Sequence, residues 1–317
     1  MKACIWKFVA GIGGTETSLL ELARFLIDSL GFSVDVYGDP VWEPFVKRFG
    51  VALNPKEVAT FDEYDLLLLN DKDVTDTPLL VEQLKKIPVR IAVYGGYIKR
   101  SEAMAEVCPL ALVKDRRIKG WLSTRAHFKG VKVSQFPIDL DHWKSRQIST
   151  PGKPVTIGYV GRTEGSKNIY DFWRMTRPFE SSCKVKMIIT GINQDEEQLA
   201  QFVKDGIEIK RNVVDVRTEL DSFDIFQSGS LIEGVPRSVM EAMALSKPVV
   251  VYTVGGVHDL NPKFMTAPGA DETTLYTLKA LVGNAHLRRV AGEENRKKIE
   301  LYNQYVCEDL FRYFKSI

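Results

Sequence analysis

Two glutamates, Glu233 and Glu241, stand eight residues apart in the segment "IEGVPRSVMEAMALSKPVV" (232–250). A carboxylate is a bidentate acceptor, suited to the vicinal hydroxyls of a ribose or a hexose. Pro236 fits the first turn of a helix, which leaves Glu233 in the preceding loop and puts Glu241 inside the helix. The N-terminus of such a helix carries unpaired N–H groups and partial positive charge, so acids and phosphates both sit well there. Arg237 lies four residues from each glutamate, and i,i+4 ion pairing accounts for the spacing of Glu241 as well, at about 0.3–0.5 kcal/mol for an exposed pair. Spacing alone does not choose.

Two further stretches have the makings of an anion site. In "GYVGRTEGSKNI" (158–169) a strand runs to Gly161, and Arg162 and Lys167 follow five residues apart across a turn. A guanidinium fork and an ammonium point charge converging on one spot make a diphosphate clamp; separately they are two surface cations. "GIGGTETS" (11–18) follows the first strand and opens a helix, so its backbone N–H groups can approach an anion; a tight βα turn needs the same glycines. It is not a P-loop, which requires a lysine, and Gly11, Gly13 and Gly14 do not have the G-x-G-x-x-G spacing of a dehydrogenase.

These residues need a scaffold, and the hydrophobic pattern describes one. Strand-like runs at 3–10, 32–38, 65–70, 89–95 and 110–115 alternate with helical patterns such as 16–30 and 76–87. Gly31 ends the first of those helices. "RQISTPGKP" (146–154) reads as a linker, after which the alternation restarts. Strands are expected at 155–161, 185–191, 207–211, 223–227 and 248–253, and helices at 167–179, 194–205, 215–221, 236–246 and 272–284. Short β-branched and leucine runs between helices indicate parallel sheets covered on both faces. The expectation is an α/β chain of two doubly wound domains, with ligands at the carboxyl ends of the strands. An amphipathic, aromatic-rich helix from Arg289 to Ile317 is expected to dock on the protein.

Composition excludes several classes. At 317 residues the chain suits about two domains at roughly 150 residues each. With 43 basic and 41 acidic residues the net charge is only +2, which does not support nucleic-acid binding by bulk charge. Cys4, Cys108, Cys183 and Cys307 are far apart and form neither a zinc knuckle nor a disulfide framework, so a reducing compartment is expected. No stretch reaches the ~18 apolar residues of a membrane span and the start lacks signal-peptide features, so the reading is a cytoplasmic protein.

"EGVPRSVMEAMALSKPVVVYTVGG" (233–256) resembles the E-x7-E signature of retaining glycosyltransferases of the GT-B fold, specifically glycosyltransferase family 4. "GYVGRTEGSKNI" is similar to that family's Gly-Arg…Lys segment, and "APGADETTL" (267–275) to its proline–glycine–aspartate lead-in to a helix. The resemblance covers about 150 to 300; in the N-terminal half it rests on Gly13, Gly14, Thr15 and Glu16.

The resemblance implies two Rossmann-like domains facing a central cleft: an acceptor domain (1–148), a donor domain (149–300) and a C-terminal helix (301–317) crossing towards the first. It implies transfer of a hexosyl group from a nucleotide-diphospho-sugar, UDP- or GDP-linked, to a glycan, lipid or small-molecule acceptor, without metal or cofactor. Glu241 would then bind the ribose, and Glu233 the sugar. Arg162 and Lys167, beside Gly161, would hold the diphosphate and neutralise the leaving group. N–H groups around Val235, Pro236 and Arg237 would meet the sugar, Gly13 and Gly14 would cover the phosphates, and Arg211 to Val213 would lie near the base.

Many members place a histidine after an N-domain strand near the reacting sugar, where "RIAVYGGYIKR" (90–100) offers Tyr94, Gly95 and Gly96 instead; His127, read as lying on a helix, is the nearby alternative. Tyr97 to Arg100 would help choose the acceptor, and Lys99 and Arg100 suit contact with an anionic lipid or polysaccharide. The D-x-D triplets at 71–73 and 139–141 are too common to mark a metal site, and none is assigned. A nucleotide-sugar 2-epimerase of similar fold, or a non-catalytic nucleotide-sugar-binding relative, are the alternatives.

Overall fold

The computed structural model describes the chain except for residues 8–13, 41–42, 50, 55–60, 71, 95–100, 146–152, 192–195, 212 and 214. Two compact units result: Met1–Pro137 with Gln304–Ile317, and Ile138–Asn303.

The first unit runs β1 (Lys2–Lys7), α1 (Gly14–Leu30), β2 (Ser33–Gly38), α2 (Glu43–Arg48), β3 (Ala52–Asn54) and β4 (Leu66–Leu69). It continues α3 (Pro78–Leu84), β5 (Val89–Tyr94), α4 (Ser101–Val107), β6 (Leu110–Val113), α5 (Arg116–Ser123) and β7 (Gly130–Val133). All pairings are parallel, in the order β3-β2-β1-β4-β5-β6-β7. The four leucines of β4 are all buried, as a strand with helices over both faces requires. Gly31 adopts φ +69°, and its N–H and that of Phe32 bond back to Ile27 and Leu26, closing α1 where the pattern predicted.

The second unit runs β8 (Val155–Gly161), α6 (Ile169–Thr176), β9 (Cys183–Ile189), α7 (Glu196–Lys204), β10 (Glu208–Arg211), α8 (Val216–Asp221) and β11 (Ile225–Ser228). Then come α9 (Arg237–Ala244), β12 (Val249–Tyr252), α10 (Val257–Leu260), β13 (Phe264–Thr266), α11 (Asp271–Gly283) and α12 (Ala285–Ser316). Its sheet, again parallel, has the order β10-β9-β8-β11-β12-β13. One face packs Phe226, Val249 and Val251 against Val239 and Met243 of α9; the other packs Ile157, Met187 and Ile225 against Phe172 of α6 and Leu278 of α11. Both units are thus Rossmann-like, doubly wound sheets, as expected.

The long α12 starts with Asn284, whose Oδ1 accepts the Leu287 N–H at 2.9 Å. In the second unit Arg296 donates to the carbonyls of Leu140, Trp143 and Ala244. Further along, Asp309 accepts from Lys132 Nζ (2.6 Å) and Ser134 Oγ (2.8 Å), contacts internal to the first unit, to which Gln304–Ile317 belongs. Among the described residues no helix is long and apolar enough to cross a membrane.

Candidate functional site

In the second sheet the strand order reverses between β8 and β11, so the loops leaving their carboxyl ends diverge to opposite faces. Such a switch point is where a doubly wound sheet opens a ligand crevice. Both motifs occupy it. Gly161 ends β8 and leads to Arg162 and Lys167, while Ser228 ends β11 and leads to Glu233 and Pro236.

Gly161 is glycine for a local reason. A Cβ there would stand 2.2 Å from the hydroxyl of buried Tyr159, which donates to the Arg162 carbonyl at 2.9 Å. Burial holds the Tyr159 hydroxyl well above the ordinary phenol range, so it stays a neutral donor. The chain then makes a single 3-10 turn, Gly165–Lys167, and Asn168 turns left-handed (φ 49°) into α6.

Three links tie this turn to the β11 loop. The Leu231 N–H donates to Ser166 O at 2.9 Å, Asn168 Nδ2 donates to Gly229 O at 3.1 Å, and Lys167 Nζ lies 2.7 Å from Glu233 Oε1. The charged pair is largely shielded, with side-chain exposures of 18% and 12%. A third loop joins from β12, where the Gly256 N–H donates to Gly234 O at 2.7 Å. Gly256 accepts no side chain, since its Cβ would come 2.5 Å from Val235 Cγ2 and 2.7 Å from Gly234 O.

Arg162 behaves differently from Lys167. Its guanidinium is half exposed and meets Glu164 at 2.7 Å. A surface pair of this kind is worth at most about 1 kcal/mol, so an incoming anion displaces it at little cost.

Pro236 is the N-cap of α9, one place before the first turn assigned to it from sequence. It provides no side-chain cap, so the N–H groups that open the helix at Arg237 keep the orientation of an anion-binding end. Glu241 lies within α9, and its Oε1 is 3.6 Å from Arg237 Nε, both side chains being buried. The i,i+4 pair with Arg237 is therefore present for Glu241, whereas Glu233 turns to Lys167 of the other motif. Between the α9 start and the β12 exit is a small, open recess walled by Ser228, Ser230, Glu233, Val251, Tyr252 and Val254. The Ser228 and Ser230 hydroxyls are 3.1 Å apart and buried, a polar element that motif spacing did not single out.

The remaining candidates are more scattered. Arg211 ends the edge strand β10, two strands from β8, and pairs with Glu196. Val213 is half-buried against the core of α9 and β12. Gly14 opens α1, where Ser18 Oγ donates to its carbonyl at 2.6 Å; Gly13 lies outside the described residues. Tyr94 ends β5 fully buried, edge-on to Phe128, and its hydroxyl has no hydrogen-bond partner among the described residues. Gly95, Gly96 and the stretch Tyr97 to Arg100 lie outside the described residues. His127 is exposed in the loop after α5, not on a helix as expected, because α5 ends at Ser123. Of the D-x-D triplets, Asp71 is outside the described residues, and the Asp139 carboxylate caps a turn by accepting the N–H groups of Asp141 and His142.

Residues 154–284 match the family model described as glycosyl transferases group 1. Over 144 residues the chain is 26% identical to WcaL of Salmonella typhimurium and to WcaL of Escherichia coli, both named for colanic acid biosynthesis glycosyltransfer. That match covers 41% of this chain and only 36% of the length of each relative. Among solved structures, HepE of Anabaena with UDP and glucose superimposes with TM-score 0.77 at 13% identity, covering 98% of this chain and 99% of that one. Sucrose-phosphate synthase of Thermosynechococcus elongatus gives 0.72 at 13% identity, covering 99% and 97%. The chain therefore has the GT-B fold of a glycosyltransferase, and the Lys167–Glu233 and Arg237–Glu241 pairs both lie within the segment, 154–284, that matches the group 1 model.

Proposed function

We propose that this protein transfers a hexosyl group from a nucleotide-diphospho-sugar to a glycan, lipid or small-molecule acceptor, with retention and without a metal ion. The observation that carries this reading is the meeting of Lys167 with Glu233 at the switch point, beside the start of α9. A cation and a carboxylate side by side suit a ligand that changes from anionic phosphate to neutral polyol within a few ångströms. HepE, which shares the fold, was solved with UDP and with UDP-glucose. The match to a glycosyl transferases group 1 model favours transfer over epimerisation.

In this reading Lys167, Arg162 and the N–H groups at Arg237 bind the diphosphate and stabilise the charge that develops on it as the glycosidic bond breaks. That positive charge does the work a divalent cation does elsewhere, which supports a metal-independent reaction. Glu233 receives sugar hydroxyls, with Val235, Pro236 and Gly161 shaping the wall. Glu241 receives the ribose hydroxyls, and Arg211 borders the nucleotide end. Gly13 and Gly14 are assigned to the phosphates on the sequence resemblance alone. The first unit, together with the end of α12, takes the acceptor, and Lys99 and Arg100 favour an anionic one, at a membrane surface or in solution. The setting is the cytoplasm, where nucleotide sugars are made.

Incubation with UDP-, GDP- and ADP-linked hexoses, with and without EDTA, tests this. Release of nucleoside diphosphate that is unaffected by EDTA, with the anomeric configuration of the donor kept in the product by NMR, is expected. Inversion would contradict retention, loss on chelation would contradict metal independence, and no turnover with any donor would contradict the function.

A further inference from the structure

Asp171 belongs to neither motif, yet it lies beneath both. It stands in the first turn of α6, three residues after Asn168, and is buried. Its Oδ2 accepts from the Tyr252 hydroxyl at 2.5 Å, and its Oδ1 from Arg174 Nη2 at 2.5 Å. A buried carboxylate with one partner removed is costly, so these donors keep it in one place. Arg174 in turn reaches Asp271 at the start of α11, which is ordinary bracing of helix to helix.

The other neighbour of Asp171 is backbone. A Cβ on Gly229 would lie 2.6 Å from Asp171 Oδ2 and 3.0 Å from its Cβ. Gly229 is the first residue after β11, the point at which the chain turns towards Glu233. The carboxylate therefore abuts the chain where the sugar-side loop begins. Tyr252 is the last residue of β12 and walls the same recess as Glu233, and four residues later the Gly256 N–H holds Gly234. Asp171 thus connects the exits of β8, β11 and β12 from below, while Lys167–Glu233 and Gly256–Gly234 connect them at the loops.

We infer that Asp171, acting with Tyr252 on Gly229, is a positioning residue that fixes the Gly229–Gly234 loop and so sets the affinity for the sugar half of the donor. The sugar-specific part of this inference rests on the proposed function. Asp171 touches no reacting group. Its effect reaches the ligand only through where it holds the loop, so in this reading the sugar, next to Glu233, is affected more than the ribose assigned to Glu241 on α9.

The test compares Tyr252→Phe and Asp171→Asn with Asp271→Asn, which loosens the α6–α11 brace without a contact at Gly229. Hydrogen exchange reads the loop directly, since the Leu231 and Gly256 amides are held by Ser166 O and Gly234 O. Tyr252→Phe and Asp171→Asn are expected to speed exchange at both amides tenfold or more, with Met187 of β9 unchanged. Both are expected to weaken UDP-glucose binding about tenfold while UDP binding stays within twofold, and Asp271→Asn to do neither. Unchanged exchange at the two amides, or equal losses for UDP and UDP-glucose, would overturn the inference. If the wild-type protein binds neither compound, the functional reading fails, and the exchange rates alone decide whether Asp171 holds the loop.

Discussion

Lys167 Nζ and Glu233 Oε1 are 2.7 Å apart although 66 residues separate them in sequence, and the contact joins the two loops that leave β8 and β11. Two motifs that look independent along the chain are therefore one structural unit. Because both side chains are mostly shielded, the pair is screened less by salt than an exposed one.

That coupling is measurable. Lys167→Ala and Glu233→Ala are each expected to weaken UDP-glucose binding by tenfold or more, and the double variant to lose less than the sum. The double-mutant cycle should return an interaction energy of about 0.5–3 kcal/mol, the range for contacting residues. Strict additivity in calorimetric titrations would mean that the two residues act on separate parts of the ligand.

Gly256→Ala should damage the site without unfolding the unit. The added methyl meets Val235 Cγ2 and the Gly234 backbone, so the loop carrying Glu233 must move. Overpacking of this kind costs about 1–3 kcal/mol. Donor affinity is expected to fall at least tenfold with the circular-dichroism spectrum unchanged; wild-type affinity would show that the Gly256–Gly234 contact is dispensable.

Gly292, two turns into α12, lets the helix touch the turn after α9. A Cβ there would fall 1.9 Å from Ser246 O, and Ser246 itself is in a left-handed conformation (φ 57°). Although alanine favours helix over glycine by about 1 kcal/mol, the backbone clash should dominate. Gly292→Ala is expected to lower the urea midpoint, and a raised midpoint would show that α12 shifts at no cost.

Much of this was legible in advance, and the exceptions have causes. β8 lies at the residues expected, and Glu233 and Glu241 fall in loop and helix as read, because a long apolar run and a proline before a helix are local signals. β3, β7 and β13 are absent from the sequence expectation because they have only three or four residues and stand at sheet edges, where no apolar run is needed. α10, with four residues, is too short to show a period. The pairing of Lys167 with Glu233 and the place of Asp171 under Gly229 come from sheet order, which no local pattern contains.

Acid should weaken the second unit in a defined way. Burial works to raise the Glu219 carboxyl, but hydrogen bonds from Lys186 (2.5 Å) and Lys210 (2.6 Å) outweigh it and hold it below the ordinary range. A depressed folded-state value means that this stabilisation is fully present above the unfolded value, near pH 4.3, and is lost as pH falls through the folded value. Denaturation followed between neutral pH and about pH 3 should show a steeper loss for the wild type than for Glu219→Gln; parallel curves would remove Glu219 from the acid response.

The proposed function has a sugar nucleotide bind the second unit between Lys167 and Glu241. Calorimetric titration of UDP, GDP, ADP and their hexose conjugates into the wild type and Glu241→Ala tests it most directly. Saturable binding of one nucleotide series, tightest for the sugar conjugate and weakened at least tenfold by Glu241→Ala, is the predicted result. Binding of none of them, or binding that Glu241→Ala leaves unchanged, would contradict a donor site at these residues.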